Sequence, residues 1–381
     1  MCEKGKKIVL AFDSFKGSLA SCEVAAAFAS GLRSAVPGVQ VVALPIADGG
    51  EGTLETLVGA LRGEYIHKCV QGPLGTPLSA RYGVVEGGGC AVVEMAAASG
   101  LTLLAPQERN PWLATTYGTG ELIADALERG CRKFLVGIGG SATNDGGVGM
   151  LRALGYRFLD KNGAELQGGG NILGSIARID AAKVHTALRD SEFIVACDVD
   201  NPLYGENGAA FVYAPQKGAD EAMVQKLDSG LRNYAAAVRD FTGRDVAQIP
   251  GAGAAGGLGA AFVAMLGARL VPGVSMVLDA LSFTSVIADA SLVVTGEGRI
   301  DRQTMMGKAP CGVLRAARAC GVPVVAVGGS VVECEELCSA GFAGVYAATP
   351  CGQPIEMAMQ PTVAKENLRC CAAVVATDFL L

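Results

Sequence analysis

Six apolar runs in this chain share one plan, and that plan restricts the fold more than any other feature. Each is a stretch of Val, Ile, Leu, Phe or Ala that breaks off into a short loop of Gly, Ser, Asp or Asn: KKIVLAFD, VQVVALPIADGG, KFLVGIGGS, EFIVACD, SLVVTGEG and PVVAVGGS. Helical spacing of apolar residues follows most of them, as in the run from about Cys22 to Ser34 and the one opened by Glu51. Continuously apolar strands need cover on both faces, which helices on a parallel sheet supply. The pattern predicts an α/β fold with a Rossmann-like parallel-sheet domain. Between about Gly72 and Phe283 the plan loosens into short strands and long glycine loops. Residues 72–283 are therefore expected as a large inserted second α/β domain, with 1–71 and 284–381 forming one discontinuous Rossmann-like domain and the active site in the interdomain cleft. A chain of 381 residues exceeds the roughly 250–300 at which a single core stops growing.

Composition narrows the function. Half of the residues are hydrophobic and 18% charged, the profile of a folded globular chain. The 53 glycines have no collagen period and fall in bursts after the apolar runs, where backbone must turn sharply or approach a ligand. A net charge of −6 and a single Trp give neither a basic face nor a stacking platform for nucleic acid. The uncharged stretch 247–268 is too rich in glycine for a membrane span and reads as a buried loop and helix. Thirteen cysteines without regular spacing or zinc-type pairs read as reduced thiols, and MCEKGKK leads straight into a strand, so a cytoplasmic protein is expected. Monomer and homodimer both stay open.

Open α/β sheets bind ligands at the carboxyl ends of their strands. The loop IGGSATNDGG lies at such an end, before a helix from about Val148, and its N–H groups suit a phosphate. Any one such loop could be a tight turn; their recurrence with interleaved Ser, Thr, Asn and Asp favours a ligand. Two standard signatures fail. Gly251, Gly253 and Gly256 spell GxGxxG, but Pro250 stands where a strand should end. Gly307 and Lys308 end like a P-loop, but Ala309 replaces the Mg²⁺-binding hydroxyl. With only His67 and His185, histidine chemistry is set aside. Carboxylates and lysines remain: Asp13, Asp48, Glu51, Asp145, Asp198, Glu297 and Asp301 at predicted strand ends, Lys16, Lys217 and Lys308 in adjacent loops. A lone loop acid is usually a helix cap, but this concentration has the parts for phosphoryl transfer: carboxylates for Mg²⁺, lysines for phosphate charge and a carboxylate to accept a hydroxyl proton.

At these residues the chain resembles the bacterial glycerate kinase family. The resemblance is carried by DSFKGSL (13–19), ADGGEGT (47–53), GPLG (72–75), VVEMAAASGL (92–101) and TTYGTGELI (115–123). It continues in GIGGSATNDGGVGM (137–150), VACDVDNPL (195–203), APQKGA (214–219), GAGAAGGLGAA (251–261) and TGEGRIDRQTMMGKAP (295–310). Beyond about Val331 it weakens. Ala214 departs from the family's usual glycine, a substitution expected to cost about 1 kcal/mol if the position needs φ > 0. The resemblance implies ATP-dependent phosphorylation of D-glycerate with Mg²⁺, at the 2-hydroxyl, with the 3-hydroxyl as the alternative. A lyase or hydrolase on the same loops and a non-catalytic hydroxy-acid sensor are the alternatives.

On that reading Lys16, Asp198, Asp145 and Lys308 are the catalytic candidates, with Asp198 first as base and Asp145 and Asp301 as rivals for that role or for Mg²⁺. Asp13, Ser14, Lys16, Asp48, Gly49, Gly50, Glu51, Asn201 and Lys217 are expected on the substrate. Gly139, Gly140, Ser141, Thr143, Asn144, Gly253, Gly256, Glu297, Gly298 and Thr304 are expected on the nucleotide and its phosphates.

Overall fold

The computed structural model describes residues 6–50, 52–305, 307–332 and 334–381, the side chains of 334–336 excepted. Glu51 thus lies outside the described residues. The chain packs as two units, one ending at Asp48 and resuming at Val277, the other Gly49–Met276.

In the first unit β1 (Lys7–Phe12) and β2 (Gln40–Ala43) flank the helix Ser21–Ala35. The second unit contains β3 (Glu64–Gln71), β4 (Pro77–Val85), β5 (Cys90–Glu94), β6 (Lys133–Gly137), β7 (Arg157–Leu159), β8 (Arg178–Asp180), β9 (Glu192–Ala196) and β10 (Arg269–Val271). The chain then completes the first sheet with β11 (Leu292–Ile300), β12 (Val324–Val331) and β13 (Gly344–Ala347).

The first sheet runs β13-β12-β11-β1-β2 with every pair parallel. Counted within its own unit that order is 2-1-3-4-5, a doubly wound sheet whose winding reverses between β1 and β11. Alternation along β1 divides its apolar run between two faces. Ile8, Leu10 and Phe12 share a core with residues of the helices Ser21–Ala35 and Pro361–Phe379, whereas Val9 and Ala11, equally buried, take the other face, where the helix Ala309–Ala319 packs against the sheet. The two helices of the first face meet at Gly31, where a Cβ would lie 2.4 Å from the Arg369 carbonyl oxygen.

The second sheet runs β10-β9-β6-β5-β4-β3. Its four strands from β10 to β5 are parallel and β4 and β3 add antiparallel strands at one edge. Phe134 and Phe193 stack across β6 and β9 at 4.6 Å. Asp220 starts the long helix Glu221–Thr242 by accepting the Met223 N–H, and Gly243 at φ 72° stops it. The uncharged stretch forms the buried helix Ala254–Leu266, and no helix among the described residues is long and apolar enough to cross a membrane.

The units divide at residues 48 and 277, where the sequence reading placed 71 and 284. The physical cause at the first boundary is β3, which pairs along its whole length with β4 from Glu64–Val84 to Gln71–Pro77. Residues 64–71 thereby form the edge strand of the second sheet. The other division falls inside the helix Gly273–Ala280.

Candidate active site

In the first unit the chemistry gathers where the winding reverses. The Asp13 N–H donates to the Gly296 carbonyl at 2.9 Å, which ties the end of β1 to β11 and fixes where the acid emerges. Asp13 is 7% exposed and its carboxylate accepts the Ser14 N–H at 2.6 Å. Burial, reinforced by the Asp48 charge, pushes its pKa up to about 7. Lys16 Nζ lies 3.4 Å from Asp48 Oδ2, and that carboxylate holds the lysine above its ordinary pKa. From β11, Glu297 accepts the Thr304 hydroxyl at 2.7 Å and faces Lys308 Nζ at 3.4 Å; burial raises its pKa. Lys308 immediately precedes the helix Ala309–Ala319, so its charge adds to the positive end of the helix dipole. Asp13, Ser14, Lys16, Glu297, Gly298 and Lys308 line one cavity of about 430 Å³. Asp301 is engaged beside it, accepting the Gln303 N–H at 2.9 Å and pairing with Arg299 at 3.1 Å.

The second unit offers another cavity, of about 380 Å³, lined by Gly49, Gly50, Glu94, Gly137, Gly139 and Gly140 among others. Gly139 and Gly140 are exposed, and among the described residues their N–H groups have no acceptor. Glu94 ends β5 and accepts the Leu54 N–H at 2.9 Å; burial raises its pKa. Sequence reasoning passed over Glu94, although it is a strand-end acid inside VVEMAAASGL and the rule that found Asp13 applies to it. Arg81, paired with Glu55, also lines this cavity and had no comparable signal.

Beyond Gly140 the glycine loop turns inward, and several expected roles are corrected. Asp145 is fully buried and accepts four donors: the Thr116 N–H and hydroxyl at 2.8 and 2.9 Å and the N–H groups of Gly147 and Gly149 at 3.0 and 3.1 Å. Burial pushes its pKa up and the four donors pull it back. With both oxygens so engaged it braces the loop and has no room for a metal. Lys217, 2% exposed, donates to Ser141 Oγ at 2.6 Å and to the Thr143 carbonyl at 2.7 Å, holding the loop from inside instead of presenting an amine to substrate. Burial drives its pKa down to about 7, opposed by the Asp145 charge. Thr143 and Asn144 are likewise fully buried.

Gly253 and Gly256 are taken up by packing. A Cβ at Gly253 would lie 2.2 Å from the Pro202 carbonyl oxygen and one at Gly256 2.1 Å from that of Thr143, so close passage of protein backbone requires glycine at both positions. Gly49 serves the same purpose, with its Cβ position 2.4 Å from Gly273 Cα. Asn201 ties its own loop through the Asn207 carbonyl and the Tyr213 hydroxyl. Asp198, at the end of β9, is exposed and accepts the Gly273 N–H at 3.0 Å. Among the described residues no group of three or more His, Cys, Asp or Glu is placed to hold a metal. Ala214 has φ −68°, so alanine fits the site without strain.

A doubly wound sheet with acids and lysines at its reversal point, and in the other unit a sheet whose glycine loop offers open N–H groups, define an α/β enzyme equipped for phosphate. The glycerate kinase family model matches residues 8–380, including the segment beyond Val331 where the motif resemblance weakened. The chain belongs to that family. It is 48% identical to a glycerate kinase of Halalkalibacterium halodurans over 93% of each chain and 48% identical to the glycerate 2-kinase of Escherichia coli over 86% of each. A crystal structure described as that of a glycerate kinase 2 from Salmonella typhimurium LT2 superposes with a TM-score of 0.90 at 44% identity, covering 98% of both chains.

Proposed function

We propose that this kinase is cytoplasmic and phosphorylates D-glycerate on its 2-hydroxyl with ATP, releasing 2-phosphoglycerate and ADP. The observation that carries the reading is the 48% identity to the glycerate 2-kinase of Escherichia coli. The charge set of the first unit supports it, because phosphoryl transfer is achieved chiefly by positioning and charge neutralisation. Lys16 and Lys308 take phosphate oxygens, and the open N–H groups of Gly139 and Gly140 add donors of the oxyanion type. Asp198, an exposed carboxylate oriented by the Gly273 N–H, accepts the proton of the attacking hydroxyl. Asp198→Asn then lowers kcat by about 100-fold or more; near-normal steady-state turnover removes Asp198 from that role.

Mg²⁺ is commonly held by one or two carboxylates together with substrate phosphates. Asp13 fits this: burial first and then the Asp48 charge push its pKa up, so a cation beside it answers a carboxylate charge that the fold disfavours. Asp13 and Asp48 would hold the metal, which would neutralise charge on the phosphates. Coupling the reaction directly to enolase tests the regiochemistry. Phosphoenolpyruvate forms without a mutase if the 2-hydroxyl is phosphorylated, whereas a signal that waits for added phosphoglycerate mutase assigns the 3-hydroxyl.

A further inference from the structure

The first unit's cavity is lined by residues of two kinds. Asp13, Lys16, Glu297 and Lys308 bring charge, and Phe15, Ile355, Ala358, Met359 and Ala364 bring apolar surface. The apolar wall comes largely from the short helix Ile355–Ala358 and the residue after it. Ile355, Met357 and Met359 are 56, 49 and 40% exposed. Single exposed apolar side chains are ordinary. Three within five residues, two of them lining a cavity, form a patch that marks a binding surface, and methionine adapts its shape to what it covers. Asn367 lines the same cavity, 8% exposed, with its amide Nδ2 donating to Gln353 Oε1 at 2.7 Å. Its carbonyl oxygen is left as an acceptor.

A three-carbon hydroxy acid has no apolar surface to match this wall. A nucleoside triphosphate does, because it joins a flat, weakly polar base to a polyanion, and the cavity lining combines an apolar set with two lysines. The position agrees, since doubly wound sheets receive nucleotides where the winding reverses, and about 430 Å³ lies within the roughly 300–1,000 Å³ of small-molecule sites. We propose that Phe15, Ile355, Ala358 and Met359 form the purine subsite for the nucleotide donor, with the Asn367 carbonyl as acceptor for an exocyclic amine. The proposal rests on the kinase reading.

Ile355→Asp and Met359→Asp test it, since both side chains reach solvent. Each is expected to raise the KM for ATP about tenfold and to raise it at least several times more than the KM for D-glycerate. ADP binding by calorimetry to the same proteins, without glycerate, is expected to weaken by a similar factor. An unchanged KM for ATP in enzyme that still consumes ATP in response to glycerate overturns the subsite and leaves the kinase reading intact, as does a larger effect on glycerate than on ATP. If the unsubstituted protein shows no glycerate-dependent ATP consumption, the kinase reading fails, and calorimetry decides the subsite independently: weakened ADP binding in the variants supports it, unchanged binding overturns it.

Discussion

Asp13 and Asp145 both follow a buried strand, and both have a lysine close enough to affect charge, yet their surroundings differ in kind. Asp145 is enclosed by four donors on both oxygens, and Lys217 is held by two acceptors. Asp13 accepts one backbone N–H at the wall of a cavity, beside two further acids that raise its pKa, and Lys16 keeps 74% of its side chain exposed. One set satisfies its polar groups within the protein and holds a loop. The other retains charge that a ligand can answer. Similar residues thus serve scaffold or chemistry according to how completely the fold satisfies them.

Several substitutions can break this comparison. The largest stability effect is expected from Asp145→Asn, which turns an amide NH2 toward converging donors and leaves some of the four unmatched. Each buried donor left unmatched in this way costs about 1–3 kcal/mol, read from denaturant unfolding. A loss below 1 kcal/mol would mean that the loop does not depend on the carboxylate. Gly256→Ala comes next, since φ 69° and a Cβ 2.1 Å from the Thr143 carbonyl oxygen combine strain with overlap, at about 1–3 kcal/mol. If the variant unfolds at the same denaturant concentration, Gly256 is not a packing glycine.

The other acid is tested by a pH dependence. Asp13 binds its proton more tightly folded, near pH 7, than at its ordinary value of 3.8. Its contribution is therefore fully present below about pH 4 and is lost as pH rises toward 7. Asp13→Asn stays neutral throughout, so its thermal midpoint should fall less over that interval than that of the parent protein. Parallel midpoint–pH curves would show that Asp13 ionises normally.

The strand ends were legible because unbroken apolar runs and the loops that stop them are local features. That rule singled out Asp13, Lys16, Glu297 and Lys308, and these four line one cavity. Depth within a loop was not legible. Nothing in GGSATNDGG tells that Gly139 and Gly140 face outward while Thr143, Asn144 and Asp145 face in, because inward packing is imposed by Lys217 and by the close passage of Gly256, both distant in sequence. Loops lack the alternation that reports which way a strand residue points. Ile355 and Met359 were missed for a related reason: a single helical turn carries no period, and their surroundings exist only once β11, β12 and the last helix are assembled.

The most direct test of the contrast compares Lys16→Met with Lys217→Met for unfolding free energy and for turnover of D-glycerate and ATP. Lys217→Met is expected to lose about 2 kcal/mol or more because the Ser141 hydroxyl and the Thr143 carbonyl are left buried without the donor they bind, whereas Lys16→Met changes stability by less than about 1 kcal/mol and lowers kcat/KM by about 100-fold or more. Equal stability losses in the two variants, or a Lys16→Met enzyme with normal kcat/KM, would contradict it.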